Sequence, residues 1–124
     1  MRNVSICPLI SVVEDDEGLR NSLDGLMRSL GYRVETFACA EAFLGSPARA
    51  ACDCVISDVQ IPGGMSGIEL AQQVTPSGTP VILMSAFADE KVQAQAVAAG
   101  AQCLLKKPFD CEMLIGCIDT ALDD

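Results

Sequence analysis

The 124-residue sequence contains no histidine, no tryptophan and only one tyrosine. Without histidine it has no imidazole general base, no serine–histidine–aspartate triad and no histidine ligand for a metal. Only 8 Lys and Arg stand against 17 Asp and Glu, a formal net charge of −9. The chain therefore lacks the clustered positive charge with which proteins bind a nucleic-acid backbone. Carboxylates, a few lysines, serines and thiols remain for chemistry.

The sequence also lacks an apolar run long enough for a membrane span. Residues 81–88 are among the longest uncharged apolar stretches, far below the ~20 residues that a transmembrane helix needs. Residues 2–13 have a slight likeness to a signal peptide, but Pro8 interrupts them and acidic residues follow where a cleavage site would stand. We therefore expect one cytoplasmic domain over residues 1–124.

Seven cysteines are present, but their odd number and irregular spacing do not form a disulfide framework. Cys52 and Cys54 are separated by one residue, whereas zinc knuckles and redox motifs have two residues between the thiols. We interpret the cysteines as small buried hydrophobic residues in a reducing compartment.

Short apolar runs alternate with helical stripes along the chain. The pattern predicts strands at 9–13, 33–37, 54–57, 81–84 and 103–105, and helices at about 19–30, 40–44, 66–74, 89–99 and 110–122. We interpret the strands as apolar throughout, as in a parallel sheet covered by helices on both faces. The predicted fold class is therefore α/β, with right-handed crossovers.

Several local signals mark where these helices begin and end. Ser66 and Glu69 form a capping box at the third helix. Asp89 and Asp110 are N-caps for the last two helices. Gly31 is expected to end the first helix in a left-handed conformation.

Polar residues follow the strands at the edge where open parallel sheets bind ligands. They are Glu14, Asp15 and Asp16 after the first strand, Asp58 after the third, Ser85 after the fourth, and Lys106 and Lys107 after the fifth. If the first and third strands are neighbours, Glu14, Asp15 and Asp58 converge, and their like charges favour a hard cation such as Mg²⁺. Alternatively, the acidic residues 14–17 only complement the dipole of the first helix, but that does not explain Asp58 at the end of a buried strand.

The same edge offers groups for phosphoryl chemistry. Ser85 and a lysine would place a hydroxyl donor and a positive charge around a phosphoryl group. Asp58 would be the acceptor, because a carboxylate can act as the nucleophile and form an acyl phosphate.

At these residues the chain resembles the receiver domain of bacterial two-component response regulators, over about residues 11–122. The matching segments are VVEDD at 12–16, SD at 57–58 with IP at 61–62, GIEL at 67–70, MSA at 84–86 and KPF at 107–109. The sequences of several of these segments are most similar to those of the FixJ-type branch, whose receivers precede a helix-turn-helix output domain. The resemblance implies a doubly wound (βα)5, flavodoxin-like fold with strand order 2-1-3-4-5.

The resemblance also implies roles for the acidic residues. Asp58 would accept a phosphoryl group from a phosphohistidine on a sensor histidine kinase or phosphotransfer protein. Asp15 and Asp58 would bind Mg²⁺ directly, together with the backbone carbonyl of Gln60. Glu14 would act largely through water.

For the other side of the site, the resemblance implies that Ser85 hydrogen-bonds to the phosphoryl oxygens and that Lys107 pairs with them. The bond from Lys107 to Pro108 would be cis. Phosphorylation would repack the predicted fourth helix, fifth strand and fifth helix. That surface would signal to an output domain, a downstream protein or a second copy of the chain. The fourth helix is poor in charge and rich in alanine, which suits a packing surface or ordinary burial equally.

Four departures from the family pattern stand out. Ser85 replaces the commoner threonine, and Leu104 stands where the family usually has an aromatic switch residue. Residues 63–64 lengthen the loop beside Asp58 by one residue. Phe87 could shield the phosphoryl group from water.

Three other functions remain open at this point. An aspartyl-nucleophile phosphatase would need an acid two residues after Asp58, where the chain has Gln60. A flavin-binding electron carrier would need a phosphate loop in place of residues 14–17. A receiver-like interaction module that is never phosphorylated would keep the same residues. Because the chain ends just after the last predicted helix, we expect a receiver alone, whose output domain is either a separate protein or follows residue 124 in a transcriptional regulator. We expect no enzymatic activity.

Overall fold

The computed structural model describes residues 7–122. The strands are β1 (Leu9–Val13), β2 (Arg33–Phe37), β3 (Cys54–Asp58), β4 (Val81–Ser85) and β5 (Cys103–Lys106). The helices are α1 (Glu17–Ser29), α2 (Ala40–Leu44), α3 (Ala48–Ala51), α4 (Gly67–Val74), α5 (Glu90–Ala98) and α6 (Cys111–Leu122). A short 3₁₀ turn at Thr75–Ser77 follows α4. Over the described range, no helix is long and apolar enough to cross a membrane.

The five strands form one parallel sheet in the order β2-β1-β3-β4-β5. This confirms the predicted fold class and strand order. Successive side chains of a strand point to opposite faces, and each face is covered by helices. One face packs with residues of α2, α4 and α5, and the other with residues of α1 and α6. The strand order reverses between β1 and β3, so the switch point lies at their carboxyl ends.

The prediction that all strands are apolar and covered on both faces is wrong for the edges of the sheet. All residues of β1, β3 and β4 are buried. In β2 only Val34 is buried, and in β5 only Leu105. Edge strands have a neighbouring strand on one side only, so their polar side chains remain in contact with water.

Most predicted helix ends are confirmed by hydrogen bonds or backbone angles. The Ser66 Oγ accepts from the backbone of Glu69 at 3.2 Å, and the Glu69 carboxylate accepts from the Ser66 N–H at 3.0 Å. The Asp89 side chain caps α5 by accepting from the Val92 N–H at 2.9 Å. Gly31 has a φ of 93°, the left-handed conformation predicted for it.

Helix α3 was not predicted. It begins just after Ser46 and Pro47, and the Ser46 Oγ accepts a hydrogen bond from the Ala48 N–H at 3.1 Å. A serine followed by proline is a helix-start signal as well as a break. Because α3 adds one helix, the predicted fourth and fifth helices are α5 and α6.

The outward face of α5 is exposed rather than buried. Ala96 is the only buried residue within the helix, and Val97 is 77% exposed. Ordinary burial therefore does not explain the low charge of this helix.

The cysteines form no disulfide with one another, but they are not uniformly buried. Cys52 and Cys54 are buried, three others are half-buried, and Cys7 and Cys111 are exposed. The interpretation as buried hydrophobic residues is therefore wrong for Cys7 and Cys111, which lie just before β1 and at the start of α6.

Candidate functional site

Three acidic side chains meet at the switch point of the sheet. Asp58 is the last residue of β3, and Glu14 and Asp15 directly follow β1. Each can place one carboxylate oxygen within 4.8 Å of the others. Glu14 is 1% exposed and Asp58 6% exposed, whereas Asp15 faces the solvent. The predicted convergence of these residues is confirmed.

Lys107 supplies the positive charge between the two buried carboxylates. Its Nζ donates to the Asp58 Oδ2 at 2.7 Å and to the Glu14 Oε1 at 3.0 Å. Lys107 follows β5, and its peptide bond to Pro108 is cis. Lys106, the other candidate, is exposed, so Lys107 is the lysine of this site.

The electrostatics of the site reflect burial and close charges. Burial raises the pKa of Glu14, and the neighbouring Asp58 charge adds to this, against the opposing hydrogen bonds from the Asp16 backbone and from Lys107. For Lys107, burial alone would lower the pKa, but the bonds and charges of Asp58 and Glu14 outweigh it and raise the pKa. Lys107 is therefore held as a cation, while Glu14 is less acidic than usual.

Backbone and side-chain groups of the first helix hold the acidic loop in place. The Asp16 N–H donates to the Glu14 Oε2 at 3.0 Å, and the Asp16 side chain caps α1 at Leu19. The guanidinium of Arg20 donates to the backbone carbonyl of Glu14 at 2.9 Å. We did not predict this contact of Arg20. Its position one turn into α1, close to the end of β1, was the signal in the sequence that could have indicated it.

Ser85 lies at the end of β4 and is fully buried. Its hydroxyl donates to the side-chain oxygen of Gln60 at 3.0 Å and accepts from the Phe87 N–H at 3.0 Å. The backbone N–H of Gln60 in turn approaches the Asp58 Oδ1 at 3.3 Å. The family resemblance implies a role only for the backbone carbonyl of Gln60, so the contact of its side chain with Ser85 was not predicted. Phe87 is 72% exposed.

The loop after Asp58 is held against the sheet at both ends. Gly67 donates to the Val59 carbonyl at 2.9 Å, and a Cβ at Gly67 would overlap the Asp58 carbonyl oxygen. This close approach requires glycine. Two residues before α4, the carboxylate of Glu41 on α2 accepts from the Met65 N–H at 2.7 Å.

The donor set of the acidic cluster fits a hard divalent cation. It consists of carboxylate oxygens only, the ligand type that Mg²⁺ takes. Lys107 can balance one of the three negative charges of Glu14, Asp15 and Asp58, so net negative charge remains at the cluster. Within the described range, this is the only group of three or more possible metal ligands.

An apolar groove adjoins the site. It lies between α1 and the loop after β5, and its lining includes Leu19, Leu23, Pro108, Phe109 and the stem of Lys107. Its cavity volume is about 590 Å³.

The fold and the site together define a doubly wound α/β protein with a carboxylate pocket and a lysine at its switch point. A family model described as the response regulator receiver domain matches residues 10–119. The chain belongs to this family, and it is a receiver domain related to the response regulators of two-component signalling.

Similar proteins support this assignment. The chain is 39% identical over 116 residues to the response regulator protein TmoT of Ectopseudomonas mendocina, covering 92% of this chain and 52% of that protein. It is 36% identical over 115 residues to the transcriptional regulatory protein FixJ of Bradyrhizobium diazoefficiens, covering 91% of this chain and 56% of that protein. The chain thus spans about half the length of these relatives. Because FixJ is one of these relatives, the predicted resemblance to the FixJ-type branch is confirmed.

Solved structures agree with the sequence relatives. The response regulator StyR superposes with a TM-score of 0.83 at 39% identity, covering 94% of this chain and 59% of that one. The receiver domain of DrrB, activated with BeF3, superposes with a TM-score of 0.86 at 29% identity, covering 96% of this chain and all of that one. These similarities favour a receiver domain over the phosphatase and the electron carrier considered above.

Proposed function

We propose that this chain is a phosphoacceptor domain in which Asp58 receives a phosphoryl group from a partner protein. The observation that carries the proposal is the position of Asp58 at the switch point, within bonding distance of Lys107 and beside Glu14 and Asp15. Family membership supports it, and the proposed donor is a phosphohistidine on a sensor histidine kinase or phosphotransfer protein, which fits a chain that has no histidine in its 124 residues.

In the transfer, a carboxylate oxygen of Asp58 forms a bond to phosphorus while the bond from phosphorus to the imidazole nitrogen of the donor breaks. The imidazole leaves with the electron pair of that bond and takes up a proton. Lys107, held as a cation, stabilises the negative charge on the phosphoryl oxygens. The hydroxyl of Ser85 and the same lysine then bind the product by charge-assisted hydrogen bonds.

Mg²⁺ is the proposed cofactor. Asp15 and Asp58 would hold it together with the backbone carbonyl of Gln60, and Glu14 would act largely through water. When bound, the ion supplies positive charge that offsets the carboxylates and the incoming phosphoryl group. The all-oxygen donor set and its excess negative charge support this choice.

We further propose a signalling role without an enzymatic activity on other molecules. Residues 1–124 would form one cytoplasmic receiver domain that contacts no nucleic acid or membrane itself. The signalling surface would be α5, β5 and α6, where Val97 is exposed and Leu104 is half-buried in place of an aromatic residue. Its targets would be an output domain, a downstream protein or a second copy of the chain. The groove beside Lys107 is a suitable surface for the donor because it adjoins the acceptor.

The direct test is incorporation of a phosphoryl group from acetyl phosphate in the presence of Mg²⁺, measured by intact-protein mass spectrometry. We expect one phosphoryl group on the native chain, none on Asp58→Asn, and normal incorporation on the control Asp119→Asn, which changes an exposed acid of α6. No incorporation on the native chain would indicate a receiver-like module that is never phosphorylated.

A further inference from the structure

The Ser85 hydroxyl is hydrogen-bonded to Gln60 and Phe87 in this structure. This buried hydroxyl both donates and accepts a hydrogen bond, to the Gln60 Oε1 at 3.0 Å and from the Phe87 N–H at 3.0 Å. A hydroxyl has a single proton to donate. As long as Gln60 accepts that proton, Ser85 cannot donate it to a phosphoryl oxygen.

Gln60 contacts both Asp58, the proposed phosphoacceptor, and Ser85, the proposed ligand of the phosphoryl group. Its backbone N–H lies 3.3 Å from the Asp58 Oδ1, and its side chain holds the Ser85 hydroxyl. The two contacts join the end of β3 to the end of β4 through one residue. A change at the Asp58 carboxylate therefore acts directly on the residue that restrains Ser85.

From this geometry we infer that the Gln60 side chain is a latch that holds Ser85 in the resting conformation and has to release it before activation. The inference rests on the proposed function, because the released hydroxyl is taken to bind the phosphoryl group on Asp58. Gln60 is then a positioning residue for Ser85. The Ser85 hydroxyl also accepts from the Phe87 N–H, so a movement of Ser85 changes a contact of the loop that leads into α5.

The latch opposes activation by the free energy of one neutral hydrogen bond. Such a bond has a net value of about 1 kcal/mol, which corresponds to a factor of about five in an equilibrium constant. Removing the acceptor from Gln60 should therefore favour the activated state by about fivefold. The backbone carbonyl of Gln60, a proposed ligand of Mg²⁺, is unaffected by a side-chain substitution.

The test is the affinity for beryllofluoride in saturating Mg²⁺, measured by isothermal titration calorimetry on the full chain. Gln60→Met keeps an unbranched side chain but removes the strong acceptor. We expect its dissociation constant to fall about fivefold relative to the native chain. The matched control is Gln72→Met, the same chemical change on the exposed side of α4, for which we expect no change.

A double-mutant cycle shows whether the effect passes through Ser85. In a Ser85→Ala background, Gln60→Met should change the affinity no further, because the restrained hydroxyl is absent. An equal gain in both backgrounds, or no gain in the native background, would overturn the latch. The affinity for Mg²⁺ alone should be the same in all variants, because neither substitution removes a proposed ligand atom of the ion.

A second measurement tests the latch without any phosphoryl mimic. The Hα–Hβ couplings of Ser85 in the free protein should report one χ1 rotamer in the native chain and averaged rotamers in Gln60→Met. A single rotamer in both proteins contradicts the latch. If the native chain binds no beryllofluoride and takes up no phosphoryl group, the proposed function fails, and the couplings still decide whether Gln60 restrains Ser85.

Discussion

Replacement of Lys107 by methionine tests how the site is held together in the resting protein. The lysine makes two contacts, at 2.7 Å to Asp58 and 3.0 Å to Glu14. At an effective dielectric constant of about 20, each contact corresponds to about 6 kcal/mol of Coulomb energy before desolvation is subtracted. Lys107→Met leaves two buried carboxylates close together without their cation.

The expected loss of stability is smaller than that Coulomb energy because burying the ions also has a cost. Removing one partner of a buried ion pair destabilises proteins by about 3–5 kcal/mol. The Lys107 side chain is 22% exposed, so water reaches it, and we expect about 3 kcal/mol, at the lower end of that range. Urea unfolding in metal-free buffer at neutral pH measures the difference. Lys106→Met, an exposed neighbour on the edge strand, is the control, with an expected change within about 0.5 kcal/mol.

The pH dependence of this loss has a definite sign. Burial already raises the pKa of Glu14 above 4.5, and Lys107→Met removes an interaction that lowers it. A carboxyl group with a raised folded-state pKa binds its proton more tightly in the folded protein. The loss in free energy of unfolding caused by Lys107→Met should be complete at pH values above the raised pKa of Glu14. It should become smaller as the pH falls towards 4.5, the ordinary pKa of a glutamate. A deficit equal to that of Lys106→Met, or one independent of pH, would refute the reasoning.

Three further predictions concern the cation, the loop and alkaline pH. Asp15→Asn should weaken Mg²⁺ binding by roughly tenfold or more, which would be measured as a smaller rise in Tm on addition of Mg²⁺. The control Asp16→Asn should keep its helix cap and show the full rise in Tm. Gly67→Ala should destabilise the fold by about 2 kcal/mol in urea unfolding because its Cβ overlaps the Asp58 carbonyl, whereas Gly25→Ala, with open space around its Cβ, should stabilise α1 by about 0.5–1 kcal/mol. Because the pKa of Lys107 is raised above 10.5, its contribution to stability should be present below pH 10.5 and be lost as the pH rises through the raised value, a loss absent from Lys107→Met.

Local features of the sequence predicted most of the fold. The capping box at Ser66 and the left-handed Gly31 depend on short-range sterics and hydrogen bonds, which neighbouring residues determine. Buried strands were equally clear, since their apolar runs are short and end at turn residues. The order of the strands came from the family resemblance, because no local pattern determines which strands are adjacent.

The acidic residues of the site could be predicted because parallel strands present their carboxyl ends at one edge. Together with the order of β1 and β3 that the family resemblance implies, that rule predicts that Asp58 and Glu14 lie side by side. The contacts of Arg20 and of the Gln60 side chain could not be predicted, because they depend on rotamers that tertiary packing selects. The exposure of β2 was missed since its edge position, rather than its composition, determines its contact with water.

The central claim, that Asp58 is the phosphoacceptor, is tested most directly by locating the phosphoryl group. An acyl phosphate on aspartate is reduced by borohydride to homoserine, whereas a phosphate ester on serine or threonine is not. After treatment with acetyl phosphate and Mg²⁺, reduction and peptide mass spectrometry should find homoserine at position 58 and at no other acidic residue. Homoserine at position 15 or another acidic residue, or phosphate retained on Ser85 with Asp58 unreduced, would contradict the account.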